Sequence, residues 1–597
     1  MRYLLISFIL LACQAGRAQG DLNLDFERLG PDSNLLGGWY FGDSGGSSYT
    51  AELSTQNPAA GERCFTITSL ENTDSTFAAI STRLPASLVA GKVIRLKGMV
   101  RTAPDSEYVA AGFYANASDM HKKTIAFTQT YDQYLGEPGV WTPMELELSI
   151  PPEAVSVNLG GVFRGQGELS FDALQLYFDD APYVAPHEIE KDLTISPTRP
   201  DDPRLEWLRQ YIHPLRSTEA DFPTTTDLTA FGAAVGESAV VGLGESTHGS
   251  HEIFTLKDRL FRYLHQHHDF RTFVLEAPLI QSYDVNDYIE SGEGSVPKLL
   301  TNIGFWPWQT EEVVELIKGM RHAPGKTRPR FTGMDMQNYT QAYRILKDRF
   351  GDNADLQADL VELRNKLDLV RYDRHEGSGY VVPERYLRVV NRVIPKLNAA
   401  ITEANLSERD TKWLRHMVRL IEQFVDEEGT QRDGYMAENV QWIRSVEHND
   451  KAVLWAHNEH VIKLNGRMGD HLAALLESDY VAVAFTFADG QYTHSHNGVK
   501  KAVGAETPYP ATYEYWFDRL DEPMFYLDLR EMEHDTTPYA DWFRHGLQFR
   551  KVGTRKLWSE FGDENLTEAY DIIFFVGSSS PSRMLPVSVL YGYEEER

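Results

Sequence analysis

The apolar run Val240-Val241-Gly242-Leu243 breaks off at Gly244-Glu245-Ser246-Thr247-His248, leaving a carboxylate and an imidazole three residues apart at its end. Ala452-Val453-Leu454-Trp455-Ala456 repeats the pattern and stops at His457-Asn458-Glu459-His460. A short apolar run that ends in titratable residues reads as a buried strand. Open α/β sheets bind ligands outside the carboxyl ends of their strands, so two such runs point to a sheet that gathers its chemistry along one edge.

The rest of the C-terminal portion agrees. Short apolar runs at 239–244, 272–276, 331–335, 452–456, 481–487, 524–529 and 572–576 alternate with segments of helical period. That alternation predicts a mainly parallel sheet with helices on both faces. Between the third and fourth runs, residues 341–446 carry apolar residues at helical spacing, as in Leu360, Leu363 and Leu367, and predict a helical insertion. Residues 21–180 differ, with Gly, Ser, Thr and aromatics in short alternating stretches such as Met144-Glu145-Leu146-Glu147-Leu148. These predict an all-β sandwich. Its ends, Leu22 to Glu27, Gly38-Trp39-Tyr40 and Leu169 to Tyr177, resemble the jelly-roll modules often found as carbohydrate-binding domains. Residues 181–204 hold five prolines among charged residues and are expected to be a linker, which leaves 205–597 as the α/β domain.

Residues 1–20 read as a signal peptide, with Arg2, an apolar stretch from Tyr3 to Ala12 and a small-x-small cleavage site, so the protein is expected to be exported. Leu10-Leu11-Ala12-Cys13 also resembles a bacterial lipoprotein box, which would leave Cys13 as a lipid anchor. The apolar stretch is roughly half the ~20 residues needed to span a bilayer, and no later run is that long, so no transmembrane segment is expected. With Cys13 in the leader, Cys64 alone remains, which leaves no intramolecular disulfide and no cysteine-ligated zinc. The net charge of −29 disfavours nucleic acid and anionic membranes as partners.

Placed on this scaffold, the first strand delivers Glu245 and His248, the second Glu276, the third Asp335 and the fourth His457 and His460. A parallel sheet can bring all of them to one cleft although they lie over two hundred positions apart. A strand-end acid taken singly is more often a helix cap or an ion-pair partner; four consecutive strands ending this way favour a site. Together with Gly333-Met334-Asp335-Met336-Gln337, Arg432-Asp433 with Met436 and Asn439, and Met468-Gly469, these motifs resemble the erythromycin esterase family over roughly residues 205–590. The resemblance implies hydrolysis of an ester or lactone by water, with no cofactor and no clear metal requirement. Carried over by motif, His248 is the general base, and Glu245, Glu276, His457 and His460 complete the catalytic set. Nine residues after the base, the macrolide-degrading members place an arginine; here Lys257 stands there, with Arg259 two residues on. A lysine is a point charge and does not reproduce a bidentate guanidinium.

The chemistry is consistent with that assignment. A neutral imidazole can take a proton from water near neutral pH, and a carboxylate on its other nitrogen, Glu245 or Glu276, would hold the tautomer. His457, His460, Lys257, Arg259 and the amino end of the helix beginning near Gly249 are candidate oxyanion donors. Lys257, Arg259, Asp335 and Arg432 are expected to contact substrate, and Trp308 to form an apolar wall. Two alternatives remain open. One is a metal-dependent hydrolase using the same His/Glu cluster; the other is a non-enzymatic carbohydrate-binding surface protein. Gly42-Asp43-Ser44-Gly45-Gly46 matches a serine-hydrolase elbow by letter but lies in the β-rich portion, with no following helix. The expected partner is a small-molecule or glycan-linked ester, and the motifs select neither the substrate nor the oligomeric state.

Overall fold

The computed structural model describes residues 22–591 apart from 28–38, 44–47, 71–75, 86–88, 119–123, 132, 134, 155, 184–201, 326–327, 377–381, 427–430, 448–449, 497–498, 511, 546 and 555–559. The expected leader, Cys13, Ser44 and most of the proline-rich linker lie outside the described residues. The chain divides between Thr198 and Arg199 into two compact units.

The first unit is all-β, with a five-stranded and a six-stranded antiparallel sheet. Its strands alternate as the sequence does. Along Val93–Thr102 every second residue is buried, and Met144, Leu146 and Leu148 point inward while Glu145 and Glu147 are exposed. Leu24, Phe26, Trp39, Leu169 and Phe171 are all core residues. The aromatics Phe26, Trp39 and Phe171 at the module's ends therefore pack the interior, and their ring faces are not available for stacking on a sugar.

The second unit is α/β. Its strands are β1 (Ile212–Pro214), β2 (Val240–Leu243), β3 (Phe270–Pro278), β4 (Arg330–Asp335), β5 (Lys451–Trp455), β6 (Tyr480–His496), β7 (Val499–Gly504), β8 (Met524–Asp528) and β9 (Ile572–Ser579). The order is β1-β8-β9-β6-β2-β5-β3-β4, with β7 paired to β6. Strands β9, β6, β2, β5, β3 and β4 are parallel. Strand β8 joins antiparallel, as do β1 and β7. All seven apolar runs are strands. The short β1 and β7 have no such run, and β6 continues well past Phe487 to take in His494 and His496.

Side chains alternate across the sheet. Val240, Val274, Ala452 and Leu454 enter the core shared with the helical insertion, whereas Val241, Leu243, Leu275, Val453 and Trp455 enter the core under helix α1 (His251–His268). Helix α2 (Glu311–Arg321) packs on that second core through Val313, Leu316 and Ile317. The insertion is helical as expected: α3 (Thr340–Phe350), α4 (Ala354–Glu376), α5 (Glu384–Glu403), α6 (Glu408–Val425) and α7 (Gln431–Val446). In α5 the buried set Tyr386, Val389, Val390, Val393, Ile394, Leu397 and Ile401 forms one apolar stripe.

Each unit has its own apolar core, and every candidate site residue lies in the second. A chain starting at Asp202, whose carboxylate caps the helix Pro203–Leu208, is expected to unfold cooperatively and to keep the small-ester turnover of the full chain. Chemical denaturation and steady-state kinetics check this; a cooperatively folded but inactive truncation would show that the β unit helps build the site.

Candidate active site

Strand register assembles the site. Leu243 is level with Trp455 on β5, and Trp455 is level with Leu275 on β3. Glu245, Glu276 and His457 all follow within two residues of that row, at one edge of the sheet. Gly244 permits the turn, since an added Cβ would lie 2.1 Å from Asn458 Oδ1. Asn458 in turn donates from Nδ2 to Phe485 O and accepts from Phe485 N, so the chain leaving β5 stays pinned to β6. This holds His457 and His460 at either end of one helical turn, α8 (Asn458–Val461), with His457 as its N-cap.

Glu245 is fully buried, and its Oε1 lies 2.6 Å from His248 Nδ1. Of the two acids considered from the sequence, Glu245 is thus the partner of His248. Its other oxygen receives Lys257 Nζ at 2.7 Å and Trp455 Nε1 at 2.6 Å. Burial opposes the charge on Glu245, but Lys257 and His248 outweigh it and hold the carboxyl below its usual range. The Lys257 ammonium is pushed down to about 8, burial exceeding the help of Glu245 and Glu276. With Nδ1 bonded to a carboxylate, His248 presents Nε2 with no hydrogen-bond partner among the described residues. Its ring stands edge-on to Trp308 and 5.2 Å from the ring of His457.

His457 is held neutral. Its Nδ1 accepts from Glu459 N, so the proton sits on Nε2, which lies 3.3 Å from Ser246 O. Burial, reinforced by the neighbouring His248, pushes its imidazole down to about 4. His460 is the opposite case. Burial opposes its charge, yet Glu276 Oε1 at 3.2 Å from Nε2 and Asp433 Oδ1 at 2.7 Å from Nδ1 raise it to about 9.

Glu276 ties the halves together, accepting from His457 N at 3.0 Å and from Arg432 Nη2 at 3.0 Å. Burial disfavours its charge, but His460 and Arg432 hold it well below the carboxylate range. Arg432 also bonds Asp335 Oδ2, and its Nη1 lies 3.2 Å from His460 Nε2. Two cations tolerate this contact because Glu276 Oε1 sits against both. The strap carrying Val552 and Gly553 seals the turn, with both backbone N–H groups donating to Ser246 O and His248 N donating to Gly553 O. Gly553 adopts φ +75° there, which side-chain-bearing residues rarely do.

Glu245, His248, Glu276, His457 and His460 are therefore brought together, with Asp335 and Arg432 joined to them. Four residues expected to face substrate are placed otherwise. Arg259 is buried with both guanidinium nitrogens on Asp227 and on the carbonyls of Ser217 and Thr224, because position 259 faces that loop across α1. Lys257 is fully buried behind Glu245. Trp308 is 1% exposed and donates to Glu276 O, so it backs the site and offers no open wall. Asp335, also 1% exposed, reaches the cleft only through Arg432.

Sequence reasoning missed Trp455 and Asp433 as site residues. Alternation from Leu243 and Leu275 places Trp455 on the α1 face beside Lys257, a signal that was present in the strand pattern. Asp433 was legible only as the neighbour of Arg432.

Among the described residues no group of three or more His, Cys, Asp or Glu is arranged to hold a metal ion. A separate cavity of about 550 Å³ lies between α1 and α2, lined by His251, Asp258, Arg262, Glu312 and Lys318 among others. None of the five clustered residues lines it.

The family model for erythromycin esterase matches residues 265–579, more than half of the 597-residue chain. The chain belongs to the erythromycin esterase family. The match includes Glu276, Asp335, Arg432, His457 and His460, while the Glu245–His248 pair precedes it. The chain is 22% identical over 423 residues to the putative hydrolase YbfO of Bacillus subtilis (strain 168), covering 63% of this chain and 91% of that one. It is also 22% identical over 328 residues to erythromycin esterase type II of Escherichia coli, covering 48% and 77%. A solved Bacillus cereus protein shares 25% identity at TM-score 0.56 over 65% of this chain and all of that one. A succinoglycan biosynthesis protein of known structure, at 24% identity and TM-score 0.53 over 64% and 98%, shares the fold. Membership makes the chain a hydrolase of this family.

Proposed function

We propose that this protein hydrolyses a carboxylic ester or lactone by direct attack of water, with His248 as general base. The observation that carries this reading is the 2.6 Å pairing of Glu245 with His248 Nδ1, which leaves Nε2 unpartnered among the described residues, with the ring of His457 5.2 Å away. Water gives its proton to Nε2 as its oxygen bonds to the acyl carbon, and Glu245 stabilises the imidazolium that forms. The carbonyl oxygen becomes an oxyanion, which protonated His460 and Arg432 stabilise. When the tetrahedral intermediate collapses, the bond to the alkoxide breaks and the imidazolium returns the proton to it, leaving acid and alcohol. The chain is proposed to work outside the cytoplasm, as its first twenty residues suggest.

The test is a panel of esters and lactones in oxygen-18 water, with and without chelator. Single turnover should place one labelled oxygen in the acid, form no acyl-enzyme and survive chelation. The rate should fall as pH rises between about 8 and 9, where Lys257 and then His460 lose their protons. The linked stability changes oppose each other. The stabilisation from His460 is complete below the usual imidazole value and is lost as pH rises through about 9. Lys257, whose value is depressed, disfavours folding less as it discharges. The alkaline limb should therefore appear in kcat while the protein stays folded by circular dichroism. A trapped acyl-enzyme, or a rate still rising at pH 10, overturns the reading.

A further inference from the structure

Among the described residues Glu245 is the one hydrogen-bond partner of the His248 ring, so what orients Glu245 matters. A glutamate's terminal torsion is soft and roughly two-fold, and a buried carboxylate bonded through one oxygen alone can turn. Here Oε2 receives two donors from two different elements. Lys257 Nζ reaches it from α1 at 2.7 Å, and the indole N–H of Trp455 reaches it from the last residue of β5 at 2.6 Å. The donors approach as a unit, with the ammonium 4.6 Å from the centre of the Trp455 ring, and both side chains are fully buried. The Trp455 ring is itself fixed edge-on against Phe254 and Trp308.

We propose that Trp455 is a positioning residue: with Lys257 it forms a two-donor clamp on Glu245 Oε2, which leaves Oε1 aimed at His248 Nδ1 and so fixes the tautomer with a free Nε2. The proposal rests on His248 being the base. The charged and titratable groups around the pair are Lys257 from α1, Glu276 from β3, and His457 and His460 beyond β5. None of these supplies a second donor to Oε2 at the position of the indole. A lysine is a point donor, whereas a guanidinium presents a planar fork and could supply both bonds alone.

The test compares Trp455→Phe with Trp516→Phe in the full chain. Trp516 is equally buried and its indole N–H bonds Pro510 O, so its variant reports loss of a buried indole bond away from the site. Nitrogen-15 spectra of labelled histidine, with the His248 signals assigned by their absence in His248→Ala, read the tautomer without any substrate. The native protein and Trp516→Phe should show a single His248 tautomer protonated at Nδ1, and Trp455→Phe a mixture. On the ester found above, Trp455→Phe should lower kcat by about 10²-fold with KM unchanged, the scale of a small misplacement of a catalytic group. Adding Lys257→Arg to Trp455→Phe should restore the single tautomer and part of kcat, the space vacated by the indole accepting the larger head group. If Trp455→Phe fails to fold, a benzothiophene-ring isostere at 455 keeps the shape and removes only the N–H. An unchanged tautomer in the folded variant overturns the clamp. A mixed tautomer with unchanged kcat supports the clamp and instead overturns His248 as the base.

Discussion

His248→Ala is expected to lower kcat by about 10²–10⁴, the usual contribution of a positioned general base, with KM little changed. The loss should be catalytic and not structural. Of the three side chains bonded to Glu245, His248 is the most exposed, and removing its ring leaves Glu245 still held by Lys257 and Trp455. Thermal unfolding of the variant should stay close to that of the native protein. Activity on a verified ester within about tenfold of native would assign the base to another residue.

Glu276→Gln is expected to have the largest effect on stability. The carboxylate is 6% exposed and compensates Arg432 and His460 while accepting the backbone N–H of His457. Breaking a buried ion pair by neutralising one partner costs about 3–5 kcal/mol, because the other charge stays buried. Asp335 and Asp433 still support the two cations, so a loss of about 3 kcal/mol in denaturant unfolding is expected. The alkaline limb should also move to lower pH. Glu276 is one of the two groups that raise His460, and without its charge the imidazolium gives up its proton sooner. A stability change under about 1 kcal/mol with an unmoved limb would show that Glu276 is not the link between the two halves of the site.

Much of this site was legible because a parallel sheet converts sequence position into spatial position. Each apolar run announced a strand, the end of the run announced the sheet edge, and the titratable residues just beyond it had to share that edge. The family motifs pointed to the same residues. The helical insertion was equally legible, since a buried helical stripe has a period that a chain can display by itself. The strands without that signature were not. β1 is three residues long, and the β6–β7 hairpin has polar, partly exposed positions where the apolar pattern has already ended.

What the sequence determined by itself was the set of residues present at the sheet edge, through local periodicity and the places where it stops. Only the tertiary structure decided how they pair. Arg259 and Lys257 are two residues apart on one helix, so they point in different directions. One closes on the Asp227 loop and the other passes beneath the sheet edge to Glu245. His457 and His460 are three apart and both largely enclosed, yet one is held neutral and the other charged. The difference lies in which carboxylates face each ring across a sheet whose strands come from segments hundreds of residues apart. Charge state and hydrogen-bond direction depend on distances of a few ångströms between such segments, and no local pattern in the chain encodes those distances.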